Sequence, residues 1–270
     1  MMHTKRPLTR LACQAGTFQQ GVRMLPEETA VALSYNGTTQ AVMMATPAAL
    51  EDFARGFTLT EGIATPDEIA DITVVGTDLG IDLQIWLRPE AGGRFAARRR
   101  TMAGPVGCGL CGIDSLEEAV RRLPPVTASA LRLTPAQIFA AVGALPGQQP
   151  LHDATRAVHA AAFWTPAQGM VACREDVGRH NALDKLAGAT IGMALSAGAV
   201  VLTSRVSIDM VQKCAAMGVP VLIAVSAPTA HAVDLAEAAG ITLIALARTD
   251  RFEVFTRPDR ILSGESAHVA

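Results

Sequence analysis

Hydrophobic and polar positions along the 270-residue chain read as strands with one good helix in the first half and as alternating strands and helices in the second. Ala30 to Tyr35 and Thr38 to Met44 flank Asn36-Gly37, the strongest short hairpin signal. Thr46-Pro47 then predicts a helix start, with threonine as N-cap and proline in the first turn. Leu50, Phe53 and Phe57 recur at helical spacing up to Glu61-Gly62, and Ile72 to Val75 with Ile81 to Leu87 predict a second strand pair. A helix beginning near Asp114 or Ser115 is followed by the break Pro124-Pro125.

In the second half, short all-apolar runs alternate with helical patterns. Thr134-Pro135 opens a helix to about Ala144, and His159 to Trp164 with Met170 to Cys173 reads as a strand pair. Then come a helix (His180 to Ala197), a strand (Ala199 to Thr203), a helix (Ile208 to Met217) and a strand (Val219 to Val225). A helix (Ala230 to Ala239), a strand (Ile241 to Leu246) and an edge strand over Phe252 to Phe255 complete the series. Apolar strands between amphipathic helices predict a mostly parallel sheet covered on both faces. The expected fold class is α/β, with a smaller strand-rich part over 1–125 and the sheet domain over 126–270.

Composition narrows the function classes. Half the residues are hydrophobic and 18% are charged, so the chain is globular. A formal charge of −2 gives no global attraction to nucleic acid or an anionic membrane. The basic N-terminus lacks the apolar stretch of a signal peptide, and no apolar run is long enough for a membrane span. Five cysteines are too few for a disulfide scaffold. A reducing cytoplasm is the expected compartment.

Cys108-Gly109-Leu110-Cys111-Gly112 is the densest chemical signal: two thiols in a glycine-rich loop before a predicted helix N-terminus. Unpaired N–H groups there favour thiolate, and Arg98, Arg99 and Arg100 upstream read as a solvated basic edge or as a rim that attracts anions. The residues leave four readings open: a zinc half-site, a redox dithiol, packed thiols, or a sulfur-carrying thiol. Zinc lacks a second ligand pair at suitable spacing. Cys13 and Cys214 read as inert thiols, and Cys173, near the second polar cluster, as core or pocket wall.

The second polar cluster is Arg174-Glu175-Asp176-Val177-Gly178-Arg179-His180-Asn181-Ala182-Leu183-Asp184-Lys185, at a strand end running into a helix. Such carboxyl edges of open sheets bind ligands. The plainer reading is a capping cluster, with Asp176 or Asn181 as cap, Glu175 paired to Arg179, and Asp184 and Lys185 on the surface. Ser204-Arg205-Val206-Ser207 and Ser226-Ala227-Pro228-Thr229 are strand-to-helix turns at the same edge, suited to phosphate. Together they predict a nucleotide or phosphate pocket with Arg179, His180, Arg205, Ser207 and Thr229.

The cysteine loop, the Glu-Asp-Val-Gly-Arg-His-Asn-Ala-Leu-Asp-Lys block, the Thr-Ser-Arg-Val-Ser turn and Arg55-Gly56-Phe57-Thr58-Leu59-Thr60-Glu61-Gly62 together resemble the FdhD family, over roughly Gly16 to Ile261. The resemblance implies a cytidine-deaminase-like α/β fold and a homodimer. It implies a sulfur carrier needed for formate dehydrogenase activity, moving sulfur from a cysteine desulfurase to the molybdenum bis(molybdopterin guanine dinucleotide) cofactor. It places the persulfide on Cys108 with Cys111 as its partner, and the cofactor stretch on Phe252, Glu253, Val254, Phe255, Thr256 and Arg257. Gly104-Pro105-Val106-Gly107 stands where many members carry serines. Nucleoside deamination is not expected, because the chain has no His-x-Glu and glycine precedes Cys108. Two other classes stay open: a cofactor-binding chaperone without sulfur transfer, and a dithiol oxidoreductase.

Overall fold

The computed structural model describes residues 3–102, 125–126 and 129–262. It opens with a feature the sequence reading did not predict, a two-stranded ribbon of β1 (Lys5–Gln14) and β2 (Thr17–Pro26). Its two-residue turn places Ala15 and Gly16 both at positive φ, the form that matches strand twist.

Next comes a four-stranded sheet of β3 (Thr29–Tyr35), β4 (Thr38–Ala45), β5 (Ile69–Thr77) and β6 (Gly80–Leu87), in the order β4-β3-β6-β5. The Asn36-Gly37 hairpin forms as expected, both residues at positive φ. Helix α1 (Leu50–Thr60) and α2 (Pro89–Met102) pack on one face of this sheet, around Tyr35, Phe53, Phe57, Leu83, Ile85 and Phe95. The basic stretch from Arg94 to Arg100 is thus helical rather than an edge strand or loop.

Thr46 does not cap α1. Helix α1 begins three residues later than Pro47, after Ala49 in the left-handed region. The backbone and hydroxyl of Thr46 are instead engaged by Asp176, Val177 and Lys185. A distant partner has won over local capping.

The remaining elements are α3 (Pro135–Ala144), α4 (Pro150–Thr155), β7 (His159–Thr165), β8 (Gly169–Asp176), α5 (Arg179–Ala189), β9 (Ala199–Leu202), α6 (Ile208–Met217), β10 (Val221–Ala224), α7 (Ala230–Ala238), β11 (Thr242–Ala245) and β12 (Glu253–Val254). Thr134 caps α3 in a full capping box with Gln137. Helix α5 stops at Ala189, well before Ala197; Gly192 at positive φ turns the chain beyond it.

These strands form a six-stranded sheet, β12-β11-β10-β9-β7-β8. It is mixed rather than mostly parallel: only β9/β10 and β10/β11 are parallel pairs. The short Pro166–Gly169 turn forces β7 and β8 antiparallel, since parallel neighbours need a long crossover. Helices α5, α6 and α7 cover one face through Leu183, Leu186, Met210, Val211 and Ala236. Helix α3 covers the other through Ile138, Ala141 and Val142. Helices therefore lie on both faces, as expected.

The two sheets are joined through α1 and α5, whose backbones nearly touch. A Cβ on Gly56 would sit 1.7 Å from the Asp184 carbonyl oxygen, and one on Gly188 would sit 2.0 Å from that of Asp52. Only glycine permits this approach.

Candidate functional site

Strands β8, β9, β10 and β11 all end at one edge of the six-stranded sheet, and β7 begins there at His159. Three loops leave this edge: Asp176 to Gly178, Thr203 to Ser207, and Val225 to Thr229. The second and third are stitched together. Val206 donates its N–H to the Ala227 carbonyl at 3.2 Å, and Thr229 returns one to Val206 at 2.9 Å.

Asp176 organises the first loop. It is fully buried, and its Oδ1 accepts from the Gly178 N–H at 2.8 Å and from Asn181 Nδ2 at 3.0 Å. Its Oδ2 accepts from the Thr46 N–H at 3.0 Å and from Lys185 Nζ at 2.5 Å. A carboxylate so buried demands a counter-charge, and Lys185, itself fully buried, supplies it. Burial pushes the Lys185 ammonium down, and Asp176 opposes that shift.

Asp184 and Lys185 are therefore not surface residues. Asp184 is buried against Lys213 Nζ at 2.9 Å and accepts from Thr60 Oγ1 at 2.6 Å; Lys213 also holds Glu61 at 2.6 Å. Burial raises the Asp184 carboxyl, while burial of Lys213 is outweighed by Asp184 and Glu61, which hold its pKa up. Glu175 does not pair with Arg179; its carboxylate accepts the N–H groups of Leu151 and His152 at the start of α4.

Anchored by Asp176, the start of α5 presents Arg179 and His180. The Arg179 Nε and His180 Nε2 atoms are buried yet have no hydrogen-bond partner among the described residues. His180 Nε2 lies 3.5 Å from Asp209 Oδ2, an ion-pair distance without hydrogen-bond alignment. Its proximity holds the Asp209 carboxyl below the usual range. Burial lowers His159 at the start of β7, helped by Arg179. An Arg179 Nε without a hydrogen-bond partner on a half-open edge suits an anionic ligand.

The structure thus brings Arg179, His180 and Ser207 to one place. Ser207 begins α6, but its hydroxyl donates to Asp209 Oδ2 at 3.4 Å instead of capping the helix. Arg205 is exposed on the same loop. Thr229 sits on the adjoining loop, where its Oγ1 caps α7 by accepting from Ala232 N at 3.3 Å. Asp209 and His159 escaped the sequence reading as site residues, because only the fold sets α6 beside α5 and brings the start of β7 to the edge that holds Arg179.

The stretch from Phe252 to Arg257 is not held in one place. β12 runs antiparallel to β11, with Glu253 beside Ala245 and Val254 beside Ile244, so the chain travels from the carboxyl edge toward the opposite one. Phe252 packs on Phe139, centroids 5.5 Å apart, and Phe255 is partly exposed. Buried Thr256 bonds the Ile241 carbonyl and the Leu243 N–H. Arg257 reaches the far edge, 3.5 Å from Asp259, beside a cavity of about 320 Å³ also lined by Ser129, Arg132 and Arg260.

Cys108 and Cys111 lie outside the described residues, as do the expected helix start near Asp114 and the Gly104–Gly107 segment. Three other thiols are described. Burial pushes Cys214 up to about 12 and Cys173 up to about 11, which makes both poor nucleophiles. Cys13 is exposed on the ribbon, so it is not shielded in a core. Among the described residues, no group of three or more His, Cys, Asp or Glu side chains could hold a metal ion. No described helix is long and apolar enough to cross a membrane.

Comparison with known proteins bears on this geometry over nearly the whole chain. A "Sulfur carrier protein FdhD" of Agrobacterium fabrum is 54% identical over 260 residues, covering 95% of this chain and 96% of the relative. One from Brucella melitensis is 52% identical over 262 residues, covering 96% and 97%. The crystal structure of a protein described as a formate dehydrogenase accessory protein from Desulfotalea psychrophila aligns with a TM-score of 0.77 at 26% identity, covering 96% of this chain and all of that one. The model of the FdhD/NarQ family matches residues 26–262, a span that holds both sheets, the glycine-paired helix crossing and the edge with Arg179 and His180. On this sequence and structural agreement, the chain belongs to the FdhD/NarQ family.

Proposed function

We propose that this protein is a sulfur carrier, with Cys108 as the carrying thiol and the molybdenum bis(molybdopterin guanine dinucleotide) cofactor as acceptor. The relatives' names support sulfur carriage, and one structural observation supports an anionic acceptor: the buried Arg179 Nε, which has no hydrogen-bond partner among the described residues. A phosphate oxygen of the acceptor would take this donor, with His180 beside it, Arg205 adding charge and the Ser207 and Thr229 turns flanking it. Arg257 is too far round the sheet to join that group, so its contribution would be to another part of a long dinucleotide.

The chemistry balances as follows. The Cys108 thiolate attacks the terminal sulfur of a desulfurase persulfide, the donor S–S bond breaks, and the donor cysteine leaves as thiolate. Cys108 now carries the sulfane sulfur. Attack by the Cys111 thiolate on the inner sulfur forms a Cys108–Cys111 disulfide and releases the terminal sulfur as hydrosulfide for the metal. The two electrons come from the two thiols, and a cellular dithiol reduces the disulfide afterwards. Such chemistry belongs in the reducing cytoplasm, with a cysteine desulfurase as donor, formate dehydrogenase as recipient of the finished cofactor, and the carrier acting as a homodimer.

Incubation with a cysteine desulfurase and cysteine, followed by intact-mass and peptide mapping, tests this. The expected result is one added sulfur on Cys108, absent in Cys108→Ala. Guanosine diphosphate serves as a probe of the pocket, with Arg179→Gln expected to weaken it at least about tenfold. Guanosine diphosphate binding without any sulfur adduct would leave a cofactor-binding chaperone in place of a carrier.

A further inference from the structure

Among the described residues, the buried charged side chains come in pairs, with one exception. Asp176 holds Lys185 at 2.5 Å, and Asp184 holds Lys213 at 2.9 Å. Arg260 is 5% exposed and makes no ion pair among the described residues. Its Nη1 donates to two neutral acceptors, the Gly240 carbonyl at 2.9 Å and Thr242 Oγ1 at 3.0 Å. Its Nε is buried and has no hydrogen-bond partner among the described residues. A buried cation without an anion is costly, and a free guanidinium donor is where an anion can bind.

The surroundings suit one. Arg260 lines the far-edge cavity of about 320 Å³ together with Arg132, Arg257 and Asp259. Three segments meet there: the chain leading to α3, the turn from α7 into β11, and the turn after β12. Backbone bonds stitch them together, from the Val126 N–H to the Ala239 carbonyl and from the Leu133 N–H to the Arg260 carbonyl, both 2.9 Å. Arg132 gives Nη1 to the Ser129 and Leu131 carbonyls and has no carboxylate partner among the described residues. Arg257 is 3.5 Å from Asp259 and 4.0 Å from Glu237, which stands outside the cavity. Burial lowers the Arg260 guanidinium pKa; Asp259 opposes that, and the charges of Arg257 and Arg132 add to it. Like charges in one place disfavour each other, and a bound anion removes that cost.

We infer that this cavity is a second anion site, and that its ligand is a small phosphate compound, pyrophosphate or a phosphate monoester, gripped by Arg260 and Arg132 with Arg257 at the rim. Charge selects the class. Three lining arginines against one lining aspartate leave two positive charges, which a phosphate dianion balances and a monocarboxylate does not. Planar guanidinium forks also match phosphate oxygens. The cavity is larger than one phosphate, which leaves room for a second phosphoryl or a small organic group against Val126 and Ala238. The site is separate from the edge that holds Arg179. Strands β9, β10 and β11, four residues each, run between the two edges and span about 13 Å, more than a pyrophosphate.

Isothermal titration with inorganic pyrophosphate tests the inference, in the full chain carrying Arg179→Gln so that the opposite edge is weakened. One pyrophosphate per chain is expected to bind. Adding Arg132→Gln or Arg260→Lys is expected to weaken it at least about tenfold. Adding Asp259→Asn removes a repelling carboxylate and is expected to tighten it about threefold, a gain that no structural damage would produce. Arg132 is exposed, so its variant keeps the test sound even if Arg260→Lys unfolds. In the wild-type chain, phenylglyoxal modification of Arg132, followed by peptide mass, slows when pyrophosphate is added. Absence of pyrophosphate binding in Arg179→Gln, binding indifferent to Arg132→Gln and Asp259→Asn, or an Arg132 rate that pyrophosphate leaves unchanged overturns the inference. None of these results bears on sulfur loading of Cys108 or on guanosine diphosphate at Arg179.

Discussion

Replacing Gly56 by alanine adds one methyl group where the α1 and α5 backbones cross. The new carbon would lie 1.7 Å from the Asp184 carbonyl oxygen, 2.7 Å from its carbon and 2.7 Å from the Gly188 nitrogen. All three are backbone atoms inside a helix, so no side chain can swing aside. The helices must part by roughly 1.5 Å or more, and overpacking of this kind costs about 1–3 kcal/mol. Parting also strains the Lys213–Asp184–Glu61 cluster directly beneath, and breaking a buried ion pair costs about 3–5 kcal/mol. Alanine returns about 1 kcal/mol in helix propensity. The net expectation is a loss of at least about 3 kcal/mol. With a urea slope of about 3 kcal/mol/M, the midpoint falls by about 1 M. Gly93→Ala is the control: it lies in α2, exposed, with nothing within 4 Å of a new Cβ. It is expected to stabilise by up to about 1 kcal/mol. A Gly56→Ala midpoint within error of wild type, or equal shifts for the two variants, would refute the close-crossing argument.

Lys185→Met strands the Asp176 carboxylate in the core and is expected to cost about 3–5 kcal/mol, with part of the loss recovered when Asp176→Asn is added; a double-mutant cycle by urea denaturation checks the coupling. His180 holds the Asp209 carboxyl below its ordinary value of 3.8, so this contact stabilises the fold above that pH and is lost as pH falls through the depressed value. In His180→Gln the Asp209 midpoint, followed by carboxyl NMR, is expected to move up toward 3.8. Cys173 and Cys214, pushed up to about 11 and about 12, are expected to resist iodoacetamide at pH 8 in the native protein and to react once it is unfolded.

Elements fixed by local chemistry were legible in the sequence. The Asn36-Gly37 hairpin, the Thr134-Pro135 helix start and the bounds of α6 rest on turn, cap and period signals within a few residues. The site edge was legible for the same reason, since strand-to-helix turns mark it. What escaped depends on partners far along the chain. Asp184 and Lys185 read as surface charges because their counter-charges, Lys213 and Asp176, meet them only after folding. Thr46 read as a cap because nothing nearby reveals that its N–H faces Asp176. The ribbon was passed over because a two-stranded element with both faces in water leaves no burial pattern. Arg257 was assigned to the cofactor by the family resemblance alone, and the antiparallel return of β12 carries it to the edge opposite Arg179.

The buried charges shared by α1, α5 and α6 also set a timetable. During synthesis Thr46, Thr60 and Glu61 emerge first, and their partners Asp176, Asp184 and Lys213 follow more than a hundred residues later. At about 5–20 residues per second, these partners follow roughly 6–30 s after the residues they will pair with. Over that interval the apolar flank of α1 has no cover of its own. The nascent chain is then exposed to chaperones and proteases, and slowing translation between the two segments lengthens that exposure.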